Sequence, residues 1–269
     1  MNFKDLFSLE GKVILVTGGA GYLGSVMSKA LLEFRGTVVV ADITEKWPNE
    51  ILGEDGLTEN MSVIKCDLSN TDSVREMFKR TKKICGRIDV LVNCAAYGGG
   101  SGGGKIADYT IDNMSDDIWE RGIDGTLNVT FRCTREVLPY FYENGTGNII
   151  NIASMYGIVS PDPGIYGTSG QNNPPMYGSG KAAVLQLTRY CAAHLAKKNI
   201  RVNSITPGAF PNPKVNMNKD FKQKLSAKTM LGRTGRPEEL AGALILLASE
   251  ASSFMTGSNV VVDGGWTAW

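Results

Sequence analysis

At 269 residues, 42% of them hydrophobic and 20% charged, the chain has enough apolar material to bury a core without cross-links. Its formal net charge of +1 gives no electrostatic ground for binding nucleic acid or an anionic membrane. Cys66, Cys85, Cys94, Cys133 and Cys191 are odd in number and fall at no metal-binding spacing, which argues against a disulfide framework or a metal site.

In chain order, apolar runs that read as buried parallel strands occur at 13–17 (VILVT), 37–42 (TVVVAD), 62–67 (SVIKCD), 88–93 (IDVLVN), 148–153 (NIINIA), 200–205 (IRVNSI) and 258–263 (SNVVVD). Helical periodicity fills 22–34, 72–85, 115–143, 177–197 and 237–248. This alternation predicts an α/β fold of Rossmann type, a doubly wound parallel sheet of seven strands with helices on both faces, in one domain over 1–269. The stretches 97–108, 157–176 and 208–230 carry neither pattern and are expected to be loops around a substrate site. The opening segment MNFKDLFSLEGK lacks the apolar stretch of a secretory signal, and no run reaches the roughly 18 apolar residues that span a bilayer. The expectation is a cytoplasmic protein.

Gly18, Gly19, Gly21 and Gly24 follow the first strand and open the first helix. Glycines there let backbone approach a pyrophosphate, which the free N–H groups of the helix start would hold. Asp42, at the end of the second strand, suits the ribose hydroxyls of an adenosine and repels a 2′-phosphate, which favours NAD over NADP. A second glycine run, Gly99 to Gly104 followed by Lys105, has phosphate-loop spacing. Ile106 stands where a magnesium-binding Ser or Thr belongs, so that reading fails on chemistry.

Tyr177 and Lys181 lie four residues apart at the start of a predicted helix and share its face. A phenol with a reference pKa near 10 needs help to act as an acid or base at neutral pH, and a neighbouring ammonium together with a positive nicotinamide is expected to favour the phenolate. Ser154 ends the fifth strand. His194, the sole histidine, falls about 220° around the helix from Lys181 and is expected to face away from the chemistry.

Thr17-Gly18 through Gly24, Asp67, Asn93-Cys94-Ala95-Ala96, Tyr177 with Lys181, and Ile205 to Phe210 together resemble the short-chain dehydrogenase/reductase family over nearly the whole chain. The resemblance implies a strand order of 3-2-1-4-5-6-7 and NAD as cofactor. It implies a cofactor site made of Gly18, Gly21, Tyr22, Leu23, Gly24, Asp42, Asp67, Leu68, Asn93, Ala95, Tyr177, Lys181, Pro207, Gly208 and Phe210. It also implies catalysis by Ser154, Tyr177 and Lys181, no metal, a small-molecule substrate, and a homodimer or homotetramer built on the long helices. Three features depart from the family pattern. Tyr22 replaces a glycine, Thr126 stands where a relay asparagine is usual, and the Ser154 to Tyr177 interval is about ten residues longer, room for an outward loop.

That insertion carries Ser160, Asp162, Tyr166, Thr168, Ser169, Gln171, Asn172 and Asn173 and few large aliphatics, which suits a hydroxyl-rich substrate. It is similar to the insertions of gluconate 5-dehydrogenase-like and nonulosonic-sugar-pathway oxidoreductases. The expected activity is hydride transfer between NAD(H) and a secondary alcohol or ketone of a sugar-like molecule. A 3-oxoacyl thioester reductase of the same family is the alternative. A sugar-nucleotide epimerase or dehydratase and a non-catalytic NAD-binding sensor are rivals from other classes.

Overall fold

The apolar runs become strands because each is covered on both faces. In the computed structural model, which describes residues 2–44, 59–97, 110–167, 172–213 and 219–269, seven strands form one parallel sheet. They are β1 (Val13–Thr17), β2 (Thr37–Asp42), β3 (Met61–Lys65), β4 (Val90–Asn93), β5 (Gly147–Ile152), β6 (Ile200–Pro207) and β7 (Asn259–Val262). Their order, β3-β2-β1-β4-β5-β6-β7, is the one expected. Every residue of the central strands β1, β4 and β5 is buried, so these strands show no alternation in sequence. The third and fourth strands are shorter than their apolar runs. Before β4, Asp89 turns its carboxylate to the N–H of Val13 at 2.9 Å and to Arg87, tying the starts of the central strands β1 and β4 together.

Seven α-helices cover the sheet: α1 (Tyr22–Glu33), α2 (Thr71–Cys85), α3 (Asp116–Ile123), α4 (Val129–Asn144), α5 (Pro175–Leu195), α6 (Lys219–Ala227) and α7 (Ala241–Ala248), counted among the described residues. On one face Leu15, Val39, Leu91 and Ile149 pack with Phe78 of α2 and Phe141 of α4. On the other, Ile14, Val38, Val90 and Ile150 meet Leu31 of α1 and Leu247 of α7. Full burial of such side chains is worth about 1.5–3 kcal/mol each, which makes these layers the main source of stability. Local signals set the helix ends: Asn70 caps α2 by accepting from the N–H groups of Asp72 and Ser73, and Gly86 ends it at φ 76°.

Three expectations need correction. The segment 115–143 is not one continuous helix, because Asp124–Asn128 widens into a π turn between α3 and α4. The backbone there is pressed from both sides: a Cβ on Gly122 would lie 2.0 Å from Met176 Cγ, and one on Gly125 would lie 2.0 Å from the Tyr97 carbonyl oxygen. Such π turns concentrate at functional sites. The stretch 208–230 is not all loop, since α6 forms there by burying Phe221 and Leu225, one turn apart. Within 157–176, a 3-10 turn forms at Pro163–Ile165 and α5 already begins at Pro175. Residues 98–108, with the second glycine run, lie outside the described residues. Among the described residues no helix is long and apolar enough to cross a membrane, and no cluster of metal-ligating side chains occurs.

Candidate active site

The C-terminal ends of β1, β2, β4, β5 and β6 converge on one cleft, as expected where the strand order reverses in a parallel sheet. Gly18 leaves β1 at φ 64°, donates its N–H to the Ala41 carbonyl at 2.7 Å, and has no room for a Cβ, which would sit 2.7 Å from Ala95 Cα. A Cβ on Gly24 would fall 2.1 Å from the Gly18 carbonyl oxygen, so only glycine lets α1 close against this turn. Gly21 precedes α1 with no side-chain cap, followed by Tyr22 and Leu23, so the helix start presents free N–H groups. The Asp42 carboxylate reaches over the turn and accepts from the Ala20 N–H at 3.1 Å. This glycine cradle, uncapped helix start and carboxylate fit the pyrophosphate and ribose of a dinucleotide.

The neighbouring strand ends are tied to the same turn. Thr17 Oγ1 accepts from the N–H groups of Cys94 at 3.2 Å and Ala95 at 3.3 Å. Asn93 donates to Asn151 at 2.8 Å and Thr134 at 3.3 Å, joining β4 to β5 and α4, while its own Oδ1 is buried without a partner among the described residues. Asp67 folds onto its own loop, accepting from the N–H and hydroxyl of Ser69. Beside it Leu68 is buried and its carbonyl takes Arg132 at 3.2 Å. After Pro207, Gly208 donates to Val262 at 2.9 Å, and the Phe210 ring lies against Gly235.

At the other end of the cleft, α5 starts on Pro174 and Pro175, whose missing N–H groups cost nothing at a helix start. Tyr177 and Lys181 follow on one face. Ser154 stands at the end of β5, 7% exposed, capping the short turn Met155–Gly157 and close enough to Tyr177 to influence its phenol. Lys181, 3% exposed, donates its ammonium to the Ile152 carbonyl at 2.7 Å and sits 5.9 Å from the centre of the Tyr177 ring. Burial raises the Tyr177 phenol above its usual value, Ser154 pulls it partly back, and Cys94 adds to the rise. Burial likewise brings Lys181 down to about 8. Desolvation is the largest influence on both groups.

Several groups in or near the cleft escaped the sequence reading. Cys94, whose backbone N–H is held by Thr17, is pushed up to about 11 by burial and feels the charges of Lys181 and Asp42. Asp124 accepts from Tyr97, Arg132 and Asn128, fastening the loop after β4 to the π turn. Asp124, Asn128 and Arg132 recur every fourth residue, a signal readable on a helix face. Tyr156 and Tyr166 bring their hydroxyls within 3.5 Å; Tyr166 stacks on Phe221, and Tyr156 meets Trp266 edge-on. Thr126 is buried, donates to the Gly122 carbonyl at 2.8 Å, and lies directly against Gly180, next to Lys181. His194 is exposed and bonded to the Tyr190 carbonyl, away from the cleft. All five cysteines are free.

A parallel sheet in this order, a glycine turn under β1 and a Ser, Tyr and Lys set at β5 and α5 define a nucleotide-linked oxidoreductase class. The comparisons agree: a family model described as enoyl-(acyl carrier protein) reductase matches residues 20–267. The chain belongs to the short-chain dehydrogenase/reductase family, oxidoreductases that act on CH–OH groups. It is 32% identical to the 3-oxoacyl-(acyl-carrier-protein) reductase FabG of Thermotoga maritima, covering 96% of this chain and 98% of that one. It is 33% identical to a D-arabinitol 2-dehydrogenase (ribulose-forming) of Candida albicans, covering 100% of this chain and 97% of the other. A short-chain dehydrogenase from Leptospira borgpetersenii, solved with bound NAD+, superposes with a TM-score of 0.85 at 30% identity, covering 99% of this chain and 96% of that one.

Proposed function

We propose that this enzyme transfers hydride between NAD(H) and a secondary alcohol or ketone on a polar, sugar-like substrate, with Ser154, Tyr177 and Lys181 as its catalytic residues. The observation that carries the reading is the buried Lys181, bonded to the Ile152 carbonyl and 5.9 Å from the centre of the Tyr177 ring, with Ser154 at the adjoining end of β5, at the cleft end opposite the glycine turn. The bound nicotinamide supplies the hydride acceptor or donor. In reduction, Tyr177 gives its phenolic proton to the carbonyl oxygen, and a raised pKa keeps that proton in place at neutral pH. In oxidation, Tyr177 takes the proton of the alcohol. Ser154 holds the substrate oxygen, and Lys181 holds the ribose and balances the charge that develops on the phenolate.

NAD is preferred to NADP because Asp42 stands over the glycine turn and no Lys or Arg lies in 18–24 to hold a 2′-phosphate. A polar substrate is favoured by Tyr166 in the insertion and Tyr156 just before it, whose hydroxyls lie 3.5 Å apart, and by Asn173, whose Oδ1 is buried with no partner among the described residues. Unpaired polar groups facing an acyl chain would cost roughly 1–3 kcal/mol each, whereas a polyol satisfies them. The likeness to the pentitol dehydrogenase points the same way. The competing reading, a thioester reductase, draws on the likeness to the Thermotoga enzyme and on the apolar Met155, Ile165 and Trp266 under the insertion. Nicotinamide-linked turnover across pentitols, hexitols, sugar acids, nucleotide sugars and 3-oxoacyl thioesters separates the two. Turnover of acyl thioesters with none on any polyol or sugar rejects the sugar reading. The long helices α4 and α5 are the surfaces on which a homodimer or homotetramer would assemble.

A further inference from the structure

We propose that Tyr22 is a positioning residue that latches the cofactor cleft, joining the segment after β6 to the glycine turn and slowing departure of the dinucleotide. This rests on the NAD(H) reading above. Tyr22 is the first residue of α1, immediately after the uncapped Gly21. Its hydroxyl donates to the Pro211 carbonyl at 3.0 Å, a contact between residues 189 apart in the chain. The base of the 208–213 segment is already fixed. Gly208 donates to Val262, Gly235 donates to the Ala209 carbonyl at 2.9 Å, and Gly235 leaves room for the Phe210 ring. The Tyr22 bond fastens the segment four residues beyond Pro207, where it has left β6.

The two surfaces joined this way belong to different ends of one ligand. The glycine turn and helix start fit the pyrophosphate, and the segment beginning at Pro207 and Gly208 is the wall expected to hold the nicotinamide. A dinucleotide spanning both lies in a cleft whose walls are tied by the phenol, and leaving it favours parting of the walls. The bond is partly buried, so water competes poorly for it. Burial and the charge of Glu238 both raise the Tyr22 phenol, which keeps the hydroxyl a donor through the working pH range. The helix does not need the tyrosine to stand: Met27 and Leu31, fully buried against the sheet, hold α1 in place. A glycine at position 22 would leave the walls unjoined.

The test is Tyr22→Phe, which keeps the ring and removes the donor. Two readouts are taken: amide hydrogen exchange at Ala209, Phe210 and Asn212 in the free protein, and the NADH release rate by stopped-flow displacement. Loss of one net hydrogen bond predicts release about 2- to 10-fold faster, with the association rate changed less than about twofold. It also predicts faster exchange at the three amides. Tyr22→Gly should release NADH at least as fast as the phenylalanine variant. Unchanged exchange at these amides in Tyr22→Phe overturns the latch, and so does an unchanged release rate. Titration of the wild-type protein with NADH tests the cofactor reading separately. A wild type that does not bind NADH sinks that reading, while the exchange measurement on the free protein still decides whether Tyr22 ties the two walls.

Discussion

At the nucleotide end of the cleft, backbone forms the surface. Gly18 and Gly24 admit no Cβ, α1 begins uncapped, and Asp42 is the acidic side chain brought over the turn. At the substrate end, side chains form it. Tyr156, Tyr166, Phe221 and Trp266 interlock across separate stretches of chain, and Tyr156 lies two residues beyond Ser154. The first surface is bound to the sheet itself, because Thr17, Ala41 and Ala95 sit at or just beyond strand ends that cannot move without breaking the core. The second draws Tyr166 from the insertion and Phe221 from α6, which stack on each other away from the strands. One end can therefore stay fixed for a shared cofactor while the other is rebuilt for a new substrate.

The sharpest way to break this division is at Lys181, which serves both ends. Lys181→Met should lower turnover by about 10³ and weaken NAD+ binding as well, because it removes a general acid/base partner and a ribose contact together. Steady-state kinetics with a titration of NAD+ check it. A variant that loses turnover but binds NAD+ like the wild type would confine Lys181 to the substrate end.

Asp42 should act at the nucleotide end alone. Asp42→Ala should narrow the preference for NAD+ over NADP+ by about 10- to 100-fold, the range of a charge-assisted hydrogen bond, while leaving the ranking of alcohol substrates intact. Isothermal titration of both oxidised cofactors measures the first part. Tighter binding of NADP+ than NAD+ by the unaltered protein would overturn the assignment.

The pH profile of ketone reduction should carry the mark of Lys181. On the proposed mechanism, reduction requires Tyr177 as a phenol and Lys181 as an ammonium. Burial raises Tyr177, so it keeps its proton as pH rises, whereas Lys181, lowered to about 8, loses its own. Above about pH 8, kcat/KM for reduction should fall roughly tenfold per pH unit. A profile that stays level to pH 10 contradicts this account of the buried lysine.

The same division explains what was legible in the sequence. Strands buried on both faces write themselves as apolar runs, and the residues ending them, Asp42, Asn93 and Ser154, were found with them. Tyr177 and Lys181 were found because helix geometry turns a four-residue spacing into one face. The π turn at Asp124–Asn128 was not found, since its register is set by Met176 and Tyr97 pressing on Gly122 and Gly125, contacts no local pattern encodes. Helix α6 offers only Phe221 and Leu225 as buried residues, too little periodicity to stand out. Proximity of Tyr177 to Lys181 is written in the sequence, whereas the desolvation that raises the phenol comes from the packing around it.

The most direct test of the central claim is Tyr177→Phe, measured for turnover and for NAD+ binding in the same preparation, on whichever alcohol the wild type oxidises. The phenylalanine keeps the ring and removes only the proton carrier. Turnover should fall by about 10² or more while the Kd for NAD+ stays within about twofold. A variant that retains most of its activity would show that Tyr177 does not carry the proton.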